Sequence, residues 1–403
     1  MPQTADVFIF DAVRTPFGRG KSTGKLHTQT PVSLVTTLLR ELKRRHPPLE
    51  QATDEVILGC CEQYNDQGGN LARAAALGAG YGVGTPGFMV SRFCSSGLDA
   101  VNTGAAKIMA GQADLVIAGG VEMLSLFSIF GAGGPMISDV IFKDATVQIP
   151  QGLSADLIAT LYGYSRDDVD HIGAESQRRA NQAWGKGFFE ELVVPITDGN
   201  EEPVLTRDEL LRENVTAESL ARLSPAFAGI GAEYRDYVRL RYPQVSTIRH
   251  VHHAGNSSGI ADGAAVVLMG NREAGQKFGL KPRAKIVSTA SAADDPCIMM
   301  VAPPAAAAKA LRRAGLTVDD IDLFEVNEAF ASVVLYFMEQ MKVPFDRINV
   351  SGGAIAMGHP VGATGAALVG TAVNSMQQRN AEHGVVTMCT GLRMGVATVL
   401  QRV

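Results

Sequence analysis

The chain has no excess of positive charge: 36 Lys and Arg stand against 41 Asp and Glu, a net −5. That argues against a nucleic-acid binder, whose electrostatic footprint is basic. No apolar run approaches the roughly 18–20 residues that a membrane-spanning helix needs. Aromatic residues are scarce, at 6% with a single Trp. The five cysteines are odd in number and show neither C-x-x-C nor histidine-interleaved spacing. Neither a disulfide framework nor a metal site is therefore expected. The opening MPQTADVFIFDAVRTP runs almost directly into a strand, without a charged and then apolar leader. The terminal QRV is not a peroxisomal address. A reduced, cytoplasmic protein is the expectation.

What is present is apolar residues (46%), glycine (43) and a rhythm. At 403 residues the chain is long enough for two or three domains around a large core. Residues 5–13 read as a strand, 31–46 as a helix and VILGCC (56–61) as a buried strand. A helix near 70–80, a short strand FMV, a helix to about Met109 and a strand at 114–120 follow. Alternating strands and helices of this kind predict an α/β fold with a mostly parallel sheet. From about Leu124 the rhythm stops. Glycines and prolines interrupt an apolar stretch, a helix begins in IPQGLSADLIATLYG, and charged helices are expected at 165–184 and 206–214. The segment 229–248 is basic and aromatic. Such an excursion suits the covering of a site. The rhythm resumes at SSGIADGAAVVLMG, and a strand is expected at Ile348. DLVIAGGVEM and GVVTMCTGLRM form a weak internal repeat, each ending a βαβ unit whose preceding corner carries Cys94 or His359.

Those corners carry the chemistry. Cys94 stands between a strand and a helix opened by Ser95-Ser96-Gly97. A helix N-terminus leaves backbone N–H groups free to bind an oxyanion, and a neighbouring imidazole lowers a thiol's pKa. A buried core cysteine is the bland alternative. His359 sits in Gly358-His359-Pro360-Val361-Gly362, where glycines permit close approach and Pro360 fixes the backbone. Cys389 precedes Thr390-Gly391, and Asn327 follows the strand DLFEV, where it could also be a helix cap. A thiol nucleophile, a base, a second thiol and an amide donor suit acyl transfer with carbon–carbon bond formation or cleavage. Neither a Walker loop nor a dinucleotide fingerprint competes: Gly78-Ala79-Gly80-Tyr81-Gly82 follows a helical pattern rather than a strand. The vicinal Cys60-Cys61 reads as core rather than redox-active.

Nearly the whole chain resembles the thiolases. The resemblance rests on DAVRTPFG, QGGNLAR, RFCSSGLDAV, AGGVEM, AGNSSGIADGAA, NEAFA, GGAIAMGHPVGATGA and the CTG at Cys389. It implies two duplicated βαβαβαββ halves forming a layered α/β/α/β/α core with an inserted loop domain. The implied division is residues 1–124 plus 261–273, a loop domain at 125–260 that covers CoA and substrate, and residues 274–403. By the same resemblance Cys94 is acylated, His359 activates it and Cys389 shuttles the proton at the substrate α-carbon. Asn327, through a water, and His359 form one oxyanion hole; the N–H groups of Cys94 and Gly391 form the other. Ser258 would contact CoA, Arg212 would stack on its adenine, and Met299 would line the acyl pocket. Gln151, Ala329 and Phe330 are further substrate-contacting candidates. No metal or prosthetic group is implied; CoA and acyl-CoA are substrates, and a homodimer or homotetramer is expected.

Three departures bear on the substrate. Pro150-Gln151 replaces the His-Met pair of short-chain biosynthetic thiolases, Leu392-Arg393 replaces a frequent Gly-Gly, and 229–248 looks inserted. They favour degradative cleavage of a 3-ketoacyl group longer or bulkier than acetoacetyl, with biosynthetic condensation of two acetyl-CoA as the alternative. A decarboxylating ketosynthase would lack Cys389. A non-catalytic acyl-CoA-binding scaffold would show an unreactive Cys94.

Overall fold

The computed structural model describes residues 5–294 and 296–403; Asp295, just ahead of Pro296 and Met299 in the sequence reading, lies outside them. The chain first builds β1 (Val7–Arg14), α1 (Pro31–Arg45), β2 (Glu55–Gly59), α2 (Leu71–Gly78), β3 (Gly87–Val90), α3 (Ser96–Met109) and β4 (Leu115–Met123). An excursion then carries α4 (Gln151–Tyr162), α5 (Arg166–Gly185) and α6 (Ala228–Arg241) before β5 (Ala261–Gly270). The pattern repeats as β6 (Ala284–Ala293), α7 (Pro303–Ala314), β7 (Leu323–Val326), α8 (Ala331–Met341), α9 (Thr364–Arg379), β8 (His383–Thr390) and β9 (Met394–Arg402).

These strands form one sheet in the order β7-β8-β9-β6-β1-β5-β4-β2-β3, with the two-residue strand Gly18–Arg19 added on β5. It is mixed rather than mostly parallel, because among the described residues only β2 with β3, β2 with β4 and β7 with β8 pair parallel. Four strands of each half follow one topology, β1-β5-β4-β2 and β6-β9-β8-β7, and β4 and β8, the two members of the weak sequence repeat, occupy equivalent places. The halves join where β1 pairs antiparallel with β6, Val7 opposite Ile286. Period-two alternation sends neighbouring side chains to opposite faces. On β2, Val56 and Leu58 pack outward with Leu34 and Leu38 of α1, while Ile57 packs inward with Val101 of α3. On β8, Val386 faces inward with Val369 and Val373 of α9, and Val385 outward with Val334 and Phe337 of α8. The result is five layers, with α3 and α9 buried between the two half-sheets.

Two expected elements are absent. Ile348 makes only an isolated bridge to Phe324. Asn349 turns left-handed (φ 47°) and its amide takes over the pairing, accepting from Val326 N at 2.7 Å and donating to Val326 O at 2.8 Å. Residues 206–214 form turns rather than a helix. There Asp208 accepts a bidentate pair from Arg14 (2.7 and 2.8 Å) and one bond from Phe17 N, while Glu209 accepts from Arg19 N and Lys25 N. Those distant anchors hold the segment extended against its helical composition.

Candidate active site

Cys94 follows β3 at a tight turn. Phe93 is left-handed (φ 47°), and the Ser96 hydroxyl donates to Phe93 O (2.6 Å) while accepting from Arg92 N (2.9 Å). Thr390, at the end of β8, donates its hydroxyl to Arg92 O (2.7 Å) and so fastens the Cys389 strand to the nucleophile turn. Burial pushes the Cys94 thiol up to about 11, helped by the charge of Glu122; the nearby N–H groups of Cys94 and Gly391 and the Gln151 side chain oppose the rise. Cys94 and Gly391, from different halves of the chain, thus meet at one cavity. Cys389 is fully buried, and burial together with the charge of Cys94 pushes its thiol well above the ordinary range.

His359 is reached through Gly358, whose φ of 103° suits glycine. Its own N–H donates to Gly259 O at 2.9 Å, beside the strand-like stretch that also bonds Ser258 N to Ala329 O. The imidazole is buried and pushed down to about 4, so it is neutral near pH 7. Thr364 Oγ1 lies 2.7 Å from Nδ1 and spends its proton on Pro360 O (2.9 Å). Nδ1 must therefore be the donor, which leaves Nε2 as the acceptor. Asn327 Nδ2 lies 3.4 Å from Nε2. Asn327 is not a helix cap: α8 begins four residues later, with Phe330 at its cap position.

A cavity of about 310 Å³ gathers Cys94, His359, Gly391, Ser258, Gln151, Met299, Ala329 and Phe330. Cys389 lies behind it and Asn327 is reached through His359. Arg212 stands apart, in a larger polar cavity of about 540 Å³ with Arg178, Arg207 and Trp184. A narrow cavity links the two, sharing Gly259 with the first and Gln177, Arg212 and Val215 with the second. Leu392 and Arg393 keep left-handed backbones (φ 61° and 49°), the conformation that glycines there would adopt without strain. The Arg393 guanidinium pairs with Asp294 at 3.1 Å and does not line the thiol cavity.

Sequence reasoning missed Thr364, Glu122 and Glu62. Glu122, wholly buried, accepts from Cys61 N (2.8 Å), Gln67 Nε2 (2.7 Å) and Gly362 N (2.9 Å), tying the loop after β2 to the loop after His359. A carboxylate inside the apolar run LVIAGGVEM was the available signal, since a buried charge needs partners. Among the described residues, no cluster of three or more His, Cys, Asp or Glu could hold a metal, and no helix is long and apolar enough to cross a membrane.

A duplicated α/β fold with a thiol and a neutral imidazole at one cavity, and a second thiol buried behind it, sets the class of protein to look for. Comparison narrows the class: residues 7–232 match the family model "Thiolase, N-terminal domain" and residues 280–402 match "Thiolase, C-terminal domain". The chain belongs to the thiolase family, enzymes that act on acyl-CoA. It is 39% identical to a 3-ketoacyl-CoA thiolase of Cronobacter sakazakii, covering 98% of this chain and 99% of that one. It is 38% identical to a beta-ketoadipyl-CoA thiolase of Pseudomonas aeruginosa, covering 99% of each. The solved acetyl-CoA acetyltransferase of Bacillus anthracis superposes with a TM-score of 0.85 at 32% identity, covering all of both chains.

Proposed function

We propose that the chain cleaves 3-ketoacyl-CoA with CoA, releasing acetyl-CoA and a shortened acyl-CoA by way of a Cys94 thioester. The observation that carries this is the meeting of Cys94, Gly391 and His359, with Nε2 left as the acceptor of the imidazole, at one largely apolar cavity. Cys94 gives its proton to His359 Nε2, and the thiolate attacks the 3-keto carbon. The oxyanion that forms is met by preorganised donors. Collapse of the adduct breaks the C2–C3 bond, and the departing acetyl-CoA carbanion takes a proton from Cys389. CoA then gives its thiol proton to Cys389, its sulfur attacks the thioester, and Cys94 leaves with the proton held on His359.

With Cys94 at about 11 and His359 at about 4, the resting pair is thiol and imidazole, so charge separation waits for substrate. The linked cavities support CoA running from Cys94 past Ser258 to the Arg212 guanidinium, a planar cation suited to stacking on adenine. In this reading 125–260 is the loop domain, set between 1–124 plus 261–273 and 274–403. The names of the 3-ketoacyl-CoA thiolases and the apolar lining favour the degradative direction. The likeness to an acetyl-CoA acetyltransferase favours the second reading, condensation of two acetyl-CoA, because a catalyst accelerates both directions.

The test is CoA-dependent cleavage of 3-ketoacyl-CoA esters graded from acetoacetyl to long and ring-bearing chains, with Cys94→Ala as control. Activity rising with acyl size and abolished in the variant is expected. Cleavage of acetoacetyl-CoA alone would transfer the assignment to the condensing reading.

A further inference from the structure

The cavity has an unusual apolar wall away from the Gly259 side that opens towards Arg212. Ile129, Phe130 and Met136 reach it from the glycine-rich stretch after β4, facing Phe227, Met299 and Phe330. Phe130 holds a left-handed backbone (φ 67°), a conformation that a bulky residue keeps only when its surroundings enforce it. The enforcing group is Glu62. Its carboxylate accepts from Phe130 N at 2.7 Å and Ala132 N at 3.0 Å, and the residue is 3% exposed. Its own backbone is fixed in turn: Glu62 N donates to Glu122 Oε1 at 3.2 Å, and Glu62 O accepts from Gln67 Nε2 at 2.9 Å. Glu62 itself lines the cavity, and among the described residues no Lys or Arg does.

We infer that Glu62, with the Ile129–Ala132 stretch it holds, sets acyl specificity: the site takes an uncharged apolar tail and refuses one that ends in a carboxylate. The inference rests on the thiolase reading and adds the substrate class. A terminal carboxylate entering this end would leave water, find no cation, and meet a second carboxylate. An unpaired charge in such a place is strongly disfavoured. An alkyl tail instead finds Ile129, Phe130 and Met136 and continues towards Ile137, which is 42% exposed.

The experiment compares kcat/KM for 3-ketohexanoyl-CoA and for the same six-carbon chain ending in a carboxylate. The wild-type enzyme should favour the uncharged ester by at least about 100-fold. Glu62→Gln removes the like charge and one latch oxygen, and should narrow that ratio by roughly tenfold. Because ratios between substrates are read, a general loss of folded enzyme does not imitate the result. If Glu62→Gln fails to fold, the wild-type ratio decides, together with Phe130→Ala, which should blunt the preference for six carbons over acetoacetyl. Equal use of the two esters by the wild-type enzyme would overturn the inference and leave the thiolase reading standing. Failure to cleave any 3-ketoacyl-CoA would remove both.

Discussion

Thr364 decides what His359 can do. By accepting from Nδ1 while donating to Pro360 O, the hydroxyl holds the tautomer whose Nε2 lone pair is available. Thr364→Ala should lower kcat by roughly tenfold or more with little change in KM, and Thr364→Ser should restore most of it; steady-state kinetics on one substrate decides. Cys94 itself gives a pH prediction. Burial raises its thiol to about 11, so the thiolate fraction of the free enzyme climbs about tenfold per pH unit below that value. Alkylation by iodoacetamide should therefore keep rising from pH 7 to pH 10. A plateau near neutral pH would mean a standing thiolate–imidazolium pair instead. At this scale the placement of the candidate residues was largely legible: Cys94, His359, Cys389 and Gly391 stand at glycine-marked corners. Thr364 was not, because a hydroxyl in a glycine-rich run carries no mark of the ring it touches.

Local composition failed at the 206–214 turns for a reason that can be measured. Asp208 is buried and binds the equally buried Arg14 guanidinium through both oxygens, and also accepts from Trp184 Nε1 at 3.1 Å. Asp208→Ala would strand a buried cation, which costs about 3–5 kcal/mol. A fall of that size in a urea titration is expected. The Ile348 strand was lost in a comparable way, since Asn349 supplies from its side chain the bonds that a longer strand would have made. In both places a contact distant in sequence overrode the local pattern. The strands and helices with clean apolar periodicity, such as α3 and β4, were legible.

For the whole molecule, the close approach of α3 and α9 is the joint between the two halves. A Cβ on Gly365 would fall 2.3 Å from Leu98 N, a distance that neither helix backbone can relieve. Gly365→Val should therefore cost more than about 3 kcal/mol, read as loss of cooperative unfolding by near-UV circular dichroism. The duplication itself was visible in the sequence as two matching strands. That a single sheet would run unbroken through both halves was not, because the pairing of β1 with β6 joins residues as distant in the chain as Val7 and Ile286.

That central pairing sets a clock on biosynthesis. β1 leaves the ribosome well before its neighbours β5 and β6, which begin only at Ala261 and Ala284. At roughly 5–20 residues per second, its two edges stay open for about 12 to 50 s while the excursion is made. Nascent chains halted before residue 261 should be cut by protease near Val7–Arg14, whereas the finished enzyme should resist. Until then the strand that will hold the two halves together is an uncovered apolar ribbon, and each new molecule passes through an interval when it can pair with its neighbours on the polysome instead of with itself.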